Sequence, residues 1–207
     1  MLKIGILVSG GGTNFQAIID AIQSGRLTDT EIVTVVSSNS NAYALERAKK
    51  YNINTVCIRK TDYETDILYQ KALIEHMKRT EVELIVMAGF MVVLGSLFIK
   101  EFENRIINIH PSLIPSFCGN GYYGLKVHEA ALKKGVKITG ATVHFVTEET
   151  DAGPIIMQKA VSVLEDDTPE RLQKRVMEEA EWEILPNVIQ LFAHNRLKLT
   201  ENRVKIL

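Results

Sequence analysis

The sequence of 207 residues has little cysteine, no long apolar run and no excess of either charge. Its two cysteines, Cys57 and Cys118, form neither a metal-ligand spacing nor a disulfide framework. We therefore expect free thiols in a reducing cytoplasm and no bound metal. No apolar run approaches the roughly 18 residues of a membrane span, and no charged leader precedes the first strand-like segment. These absences predict a cytoplasmic protein that is not inserted in a membrane.

Charge is nearly balanced, with 24 basic and 25 acidic residues. No long block of like charge is present, which argues against broad binding to nucleic acid or to a membrane surface. Hydrophobic residues make up 46% of the chain, which suits one domain over residues 1–207 that buries about 70% of its unfolded surface. We expect small-molecule ligands, and the sequence leaves open whether the chain is a monomer or a homodimer.

Strand-like and helix-like segments alternate through the first half of the chain. The predicted strands are Lys3–Val8, Glu31–Ser37, Thr55–Ile58, Glu83–Ala88 and Arg105–Ile109. The predicted helices are Asn14–Ser24, Tyr43–Tyr51, Tyr63–Arg79 and a stretch near Gly95–Phe102. This alternation predicts a Rossmann-like α/β fold, with a mostly parallel twisted sheet and helices on both faces.

The pattern changes in the second half of the chain. Two longer strands, Ile138–Thr147 and Ile155–Val163, are joined by a turn and should pair antiparallel. A long helix is predicted from an N-capping threonine, Thr168, to about residue 194, and Pro186 should kink it. Alternating residues over about 196–207 predict a terminal hairpin.

The segment Asn108-Ile-His-Pro-Ser-Leu-Ile-Pro115 follows the fifth predicted strand and has the composition of a reaction centre. Asn108 and His110 are two residues apart on an extended chain, so their side chains leave the same face. Asp151 lies in a glycine-proline turn, from which its carboxylate could reach the imidazole and keep it protonated. These groups suit acyl transfer to an amine, with hydrogen bonds to the oxyanion and a proton carried by His110. Taken singly, His110 could be a capped loop residue and Asp151 an ordinary turn residue.

A glycine-rich loop, Ser9-Gly-Gly-Gly-Thr-Asn14, lies between the first predicted strand and helix. Glycines let backbone N–H groups approach an anion, and a helix N-terminus adds partial positive charge. Phe15 occupies the third glycine position of G-x-G-x-x-G, and no G-x-x-x-x-G-K-[ST] follows. The loop therefore favours a phosphate over NAD or a nucleoside triphosphate, and a tight turn for helix packing is the alternative.

These segments resemble the phosphoribosylglycinamide formyltransferases. The resemblance rests on nearly the whole chain in order, through Ser9–Asn14, Ala88-Gly-Phe-Met91, Asn108–Pro115, Gly140–Thr147, Asp151–Pro154 and Ala180-Glu-Trp182. It implies transfer of a formyl group from 10-formyltetrahydrofolate, as cosubstrate, to the amine of glycinamide ribonucleotide in purine biosynthesis. It also implies that Asn108, His110 and Asp151 are the catalytic residues.

The resemblance further implies binding residues. The substrate phosphate and ribose would be bound by Gly12, Thr13, Asn14, Glu178 and Glu181, although the two glutamates could also be a solvated helix face. The folate would be bound by Met91, Val92, Val93, Leu94, Asn108, Thr147, Glu148, Glu149, Thr150 and Asp151. Val92 and Asp66 stand where family members often carry arginine. Arg59 or Lys60 could hold the acidic tail of the folate instead, although both are more readily explained as solvated surface charges. The loop 117–124 would cover the substrate amine, with His128 structural and His144 behind the site.

Two other functions stay open from the sequence. A 10-formyltetrahydrofolate hydrolase would use water in place of the amine, and such enzymes usually carry an N-terminal regulatory domain that is not expected before Lys3. A non-catalytic Rossmann-type nucleotide-binding protein would explain the glycine loop, but it would leave Asn108, His110 and Asp151 without a role.

Overall fold

Parallel strands make up most of the main sheet. The computed structural model describes residues 1–207. The strands of the main sheet are β1 (Leu2–Val8), β2 (Thr30–Ser37), β3 (Thr55–Cys57), β4 (Leu84–Met87), β5 (Ile106–His110), β6 (Ile138–Phe145) and β7 (Ile155–Ser162). Their spatial order is β3-β2-β1-β4-β5-β6-β7. β1 pairs in parallel with β2 and β4, β2 with β3, and β4 with β5, whereas β6 and β7 pair antiparallel. The predicted α/β class and antiparallel C-terminal portion are confirmed.

The helices are α1 (Thr13–Gln23), α2 (Tyr43–Lys50), α3 (Asp66–Arg79), α4 (Ser96–Glu101), α5 (Leu125–Lys134), α6 (Pro169–Val176) and α7 (Trp182–Ala193). A separate antiparallel hairpin of β8 (Leu197–Thr200) and β9 (Arg203–Ile206) confirms the predicted terminal hairpin. No helix has the length and apolar character needed to cross a membrane. Contacts cluster into two units, 1–108 and 109–207, with the boundary inside β5. The expectation of one domain therefore stays a prediction.

The N-terminal unit has its core around β1. Ile4 and Ile6 on one face of that strand, and Leu7 on the other, are fully buried. A parallel strand that is covered on both faces needs apolar side chains in both directions, which explains why β1 lacks polar alternation. Phe15 and Ile18 of α1 are also fully buried, in agreement with the amphipathic pattern of that helix.

Two predicted helices differ from the observed ones. Helix α3 begins at Asp66 rather than at Tyr63, because Thr65 is its N-cap and accepts the N–H of Leu68 at 3.2 Å. A 3₁₀ turn, Lys60–Asp62, precedes it.

The long helix that begins after Thr168 is not continuous. Thr168 does cap it, by accepting the N–H of Arg171 at 3.3 Å. However, α6 ends at Val176, and a π-helical segment, Met177–Glu181, separates it from α7. Helix α7 runs through Pro186, so the interruption lies before the proline. The kink expected at Pro186 stays a prediction.

Candidate active site

The end of β5 presents the polar side chains that the sequence singles out. Asn108 is half-buried, and His110 is buried with about one twentieth of its surface exposed. Ile109 lies between them and points into the opposite, apolar side of the strand. The carboxyl end of a parallel strand is where ligands of open α/β sheets generally bind.

The turn after β6 places Asp151 against this strand end. The N–H of Phe145 donates to the carbonyl of Pro154 at 2.9 Å, which closes the turn. A Cβ added at Gly153 would lie 1.9 Å from the carbonyl oxygen of Phe145, so only glycine fits there. Oδ2 of Asp151 lies 3.5 Å from Nδ1 of His110. The structure thus brings together the carboxylate and the imidazole, as expected from the glycine-proline turn.

A second histidine faces the same carboxylate. Nε2 of His144 lies 3.7 Å from Oδ1 of Asp151, and its Nδ1 donates to the carbonyl of Phe145 at 2.8 Å. His110 has the same arrangement, because its Nε2 donates to the carbonyl of Phe117 at 2.9 Å. A carbonyl oxygen only accepts, so in neutral His110 the proton is on Nε2 and Nδ1 presents a lone pair to Asp151. Nδ1 is therefore the nitrogen that gains and loses a proton.

Burial and charge act in opposite directions on the pKa values of this pair. Burial lowers the pKa of His110 below its ordinary value, and the charge of Asp151 and the Phe117 carbonyl oppose this shift without reversing it. Burial acts to raise the pKa of Asp151, but His144, the charge of His110 and the N–H of Gly119 outweigh it and lower that pKa. Asp151 is thus held ionised, and its charge favours the protonated imidazole against the effect of burial. That Asp151 keeps His110 protonated stays a prediction.

The glycine loop between β1 and α1 directs its carbonyls and its N–H groups to different sides. Gly12 is the N-cap of α1 with a φ of 71°, so Thr13 and Asn14 are the first helical residues. The carbonyls of Gly10 and Gly11 accept from the N–H of Ala44 at 3.1 Å and from Nε of Arg47 at 2.9 Å. No group of the protein accepts the N–H of Gly11 or of Gly12. A loop whose carbonyls are turned to α2 and whose N–H groups are unused suits an anion.

Gly12 is also fixed by packing. A Cβ added at Gly12 would lie 2.7 Å from the Cβ of Ala44. The tight turn and the anion site are therefore compatible, because the same glycine serves both. No motif in the sequence indicates this role of Arg47, whose guanidinium also lies 5.0 Å from the centroid of the Tyr43 ring.

The segment Met91–Leu94, expected to contact folate, exposes apolar side chains. Met91 is 54% exposed and Val93 is 62% exposed, whereas Leu94 is buried. The N–H of Met91 donates to Oγ of Ser9 at 2.8 Å. Exposed apolar side chains next to a strand end suit a flat aromatic ligand.

The two glutamates of the π-helical segment have different surroundings. Glu181 is 5% exposed, whereas Glu178 lies at the surface, 3.7 Å from Nζ of Lys174. Segments of π-helix often occur at functional sites. Of the two, the buried Glu181 is the better candidate to bind a hydroxyl group.

Asp66 and the nearby cations form local ion pairs. Lys60 lies 2.6 Å from Asp66, and Arg59 lies 2.8 Å from Asp62. Exposed ion pairs of this kind are weak and exchange readily. That Arg59 or Lys60 binds the acidic tail of the folate stays a prediction.

His128 is a buried histidine without hydrogen-bond partners. It is fully buried on α5, and neither ring nitrogen has a hydrogen-bond partner. Burial and the nearby His110 lower its pKa to about 4. That His128 is structural stays a prediction, supported by its burial and by its lack of hydrogen-bond partners.

The formyl transferase family model matches residues 2–189 of this chain. Phosphoribosylglycinamide formyltransferase of Haemophilus influenzae is 38% identical over 202 residues, which cover 98% of this chain and 92% of the relative. The chain therefore belongs to the formyl transferase family, among the phosphoribosylglycinamide formyltransferases.

Solved structures agree with this placement. Glycinamide ribonucleotide transformylase 1 from Symbiobacterium toebii superimposes with a TM-score of 0.93 at 42% identity, covering 100% of this chain and 94% of that one. A formyltetrahydrofolate deformylase from Pseudomonas syringae has a TM-score of 0.87 at 25% identity, covering 100% of this chain and 66% of that one. Similarity is thus greater to the transformylase than to the deformylase.

Proposed function

We propose that this protein transfers the formyl group of 10-formyltetrahydrofolate to the amine of glycinamide ribonucleotide. The observation that carries the proposal is the 3.5 Å approach of His110 to Asp151, with Asn108 two residues earlier on the same strand. A neutral imidazole beside an ionised carboxylate is the arrangement that proton transfer from an attacking amine requires.

The reaction follows from these groups. The amine nitrogen attacks the formyl carbon, and the carbonyl oxygen becomes an oxyanion that the side-chain amide of Asn108 stabilises by donating a hydrogen bond. Nδ1 of His110 takes the proton from the attacking nitrogen, and Asp151 stabilises the imidazolium that forms. The carbon–nitrogen bond to the folate then breaks as that nitrogen receives the proton, which returns His110 to its neutral form.

The remaining residues bind the two substrates. The unused N–H groups at Gly11 and Gly12 support phosphate binding by Gly12, Thr13 and Asn14. Glu181, with Glu178 at the rim, would accept hydrogen bonds from ribose hydroxyls. The exposed apolar side chains of residues 91–94 and the loop 147–151 would contact the folate, together with Asn108. That the protein binds neither a metal nor NAD stays a prediction. Its monomeric or homodimeric state and its cytoplasmic location are predictions as well.

A hydrolase is the second candidate, because a deformylase shares the fold. The anion loop argues for the transferase, since water needs no phosphate site. A non-catalytic nucleotide-binding protein is less favoured, because it would have no use for a buried carboxylate between two histidines.

One assay separates these functions. Purified protein is mixed with 10-formyltetrahydrofolate and with glycinamide ribonucleotide, with its dephosphorylated riboside, or with no acceptor. We expect rapid tetrahydrofolate formation with the ribonucleotide, much slower formation with the riboside, and none without an acceptor. Equal rates in all three samples, with accumulation of formate, would show a hydrolase. No turnover in any sample would contradict both enzymes and favour the non-catalytic nucleotide-binding protein.

A further inference from the structure

The loop after β5 contacts both members of the His110–Asp151 pair through backbone atoms alone. The carbonyl of Phe117 accepts from Nε2 of His110 at 2.9 Å. Two residues later, the N–H of Gly119 donates to Oδ2 of Asp151 at 2.9 Å. The same carboxylate oxygen faces Nδ1 of His110 at 3.5 Å. The loop and the pair therefore form a closed ring of contacts.

The start of this loop is anchored at both ends of a short turn. Oγ of Ser112 donates to the carbonyl of Ser116 at 2.6 Å, and Sγ of Cys118 donates to the carbonyl of Pro115 at 3.3 Å. Gly119 has a φ of 85°, in the region that favours glycine. An added Cβ would meet no atom within 4 Å, so the need for glycine is conformational rather than steric.

We propose that the segment Phe117–Gly119 is a backbone clamp that positions the catalytic pair, with Gly119 as a positioning residue. The proposal rests on the proposed formyl transfer for its kinetic consequence, but its structural part does not. It assigns to the loop a task in addition to covering the substrate.

The clamp acts on each partner differently. Donation to the Phe117 carbonyl fixes the neutral imidazole with its proton on Nε2, which leaves Nδ1 to exchange protons beside the carboxylate. Donation from Gly119 orients the carboxylate so that Oδ2 faces that nitrogen. The other titratable groups that face the pair are His144 from β6, His128 from α5 and the thiol of Cys118.

The test compares two glycines of positive φ. Gly119→Ala disfavours the left-handed backbone that aims the N–H at Asp151. Gly135→Ala is the matched control, because Gly135 has a φ of 76°, has equally open space around it and lies at the end of α5, outside the loop 117–124. Gly119→Asn is the conservative rescue, since asparagine adopts positive φ more readily than alanine.

Two readouts are needed. Long-range proton–nitrogen correlation spectra at neutral pH report which nitrogen of His110 carries the proton, and they require no activity. Steady-state formyl transfer gives kcat and KM separately. For Gly119→Ala we expect a mixed tautomer of His110 and a fall in kcat of about tenfold to a hundredfold, the size expected for a lost hydrogen bond to a charged group, with KM for the ribonucleotide unchanged.

Gly135→Ala should keep the Nε2–H tautomer and most of the wild-type kcat, and Gly119→Asn should recover most of both. The proposal is overturned if Gly119→Ala and Gly135→Ala have the same tautomer and the same kcat. If the wild-type protein transfers no formyl group, the proposed function fails, and the tautomer measurement still decides the role of the clamp.

Discussion

Nδ1 of His110 lies 3.5 Å from Oδ2 of Asp151, and the two side chains are 5% and 10% exposed. Water screens such a pair little, so the charge of one group acts strongly on the other. The ionised carboxylate is therefore expected to matter most when His110 carries the proton during transfer.

Asp151→Asn tests this expectation. The amide keeps the size of the side chain and can still accept the N–H of Gly119, but it cannot stabilise an imidazolium. We expect kcat to fall by about 10²–10⁴-fold, the usual cost of losing positioned acid–base chemistry. Asp62→Asn is the control, because it removes an exposed carboxylate in the 3₁₀ turn that precedes α3. Single-turnover rates within a few-fold of wild type for Asp151→Asn would remove Asp151 from the mechanism.

Gly12→Ala should weaken binding of the ribonucleotide and leave folate binding largely intact. The new Cβ would meet Ala44 and push the loop N–H groups away from their positions. Gly25→Ala is a matched control, because Gly25 has almost the same φ, 72°, but open space around it. Both variants carry a left-handed alanine that costs about 1–2 kcal/mol.

Calorimetric titration with each ligand separately measures the effect at Gly12. Adding Ala44→Gly to Gly12→Ala should recover part of the lost affinity, because it removes the atom that the new Cβ meets first. An equal loss of affinity for both ligands would contradict a phosphate-specific loop.

His128 should make the fold sensitive to acid. Its pKa is about 4 in the folded protein and about 6.5 in an unfolded chain, so below pH 6.5 the unfolded chain binds the proton first. The stability that depends on neutral His128 is complete above pH 6.5 and falls by about 2–3 kcal/mol as the pH approaches 4.

Urea unfolding at pH 7 and pH 4.5 measures this loss. His128→Gln removes the titrating group and should lose less stability between the two pH values than wild type. His194→Gln, at an exposed histidine, should behave as wild type. If all three proteins lose the same stability, burial of His128 does not contribute to acid sensitivity.

The two thiols should react at different rates. Cys57 is exposed, whereas Cys118 is partly buried and donates to the carbonyl of Pro115. Burial, with a contribution from Asp151, raises the pKa of Cys118, and the thiolate is the reactive form. Alkylation with iodoacetamide at pH 8, followed by peptide mass spectrometry, should modify Cys57 at least about tenfold faster. In a urea-denatured control the two thiols should react at similar rates. Similar rates for Cys57 and Cys118 in the native protein would contradict the partly buried position of Cys118.

Much of the fold and part of the site could be predicted from the sequence. Alternation of strands and helices predicts the parallel sheet, because the connecting helices cover both of its faces. A strand such as β1 is then apolar on both faces, which is visible in the sequence. The approach of Asp151 to His110 could also be predicted, since side-chain chemistry and a glycine-proline turn are visible in the sequence. The clamp could not be predicted, because it consists of backbone atoms of Phe117 and Gly119. Every residue has a backbone carbonyl and every residue except proline has an N–H, so the sequence does not mark these two.

The protonation of His110 shows a second limit. The sequence reveals the carboxylate that raises the pKa of His110, but it does not reveal the burial, which lowers that pKa by more. Burial depends on residues that are distant in the chain, so the sign of the net shift requires the packed structure.

The buried residues of α6, the π-helical segment and α7 are spaced four apart: Leu172, Val176, Ala180, Ile184 and Val188. In a regular α-helix such spacing advances about 40° at each step, and a stripe of this length would wind out of the core. The wider turn of Met177–Glu181 absorbs part of that drift and keeps all five residues inside. A single residue added to or deleted from this turn would rotate the whole of α7 by about 100° relative to α6. The number of residues in this turn therefore sets which face of α7 packs against the core.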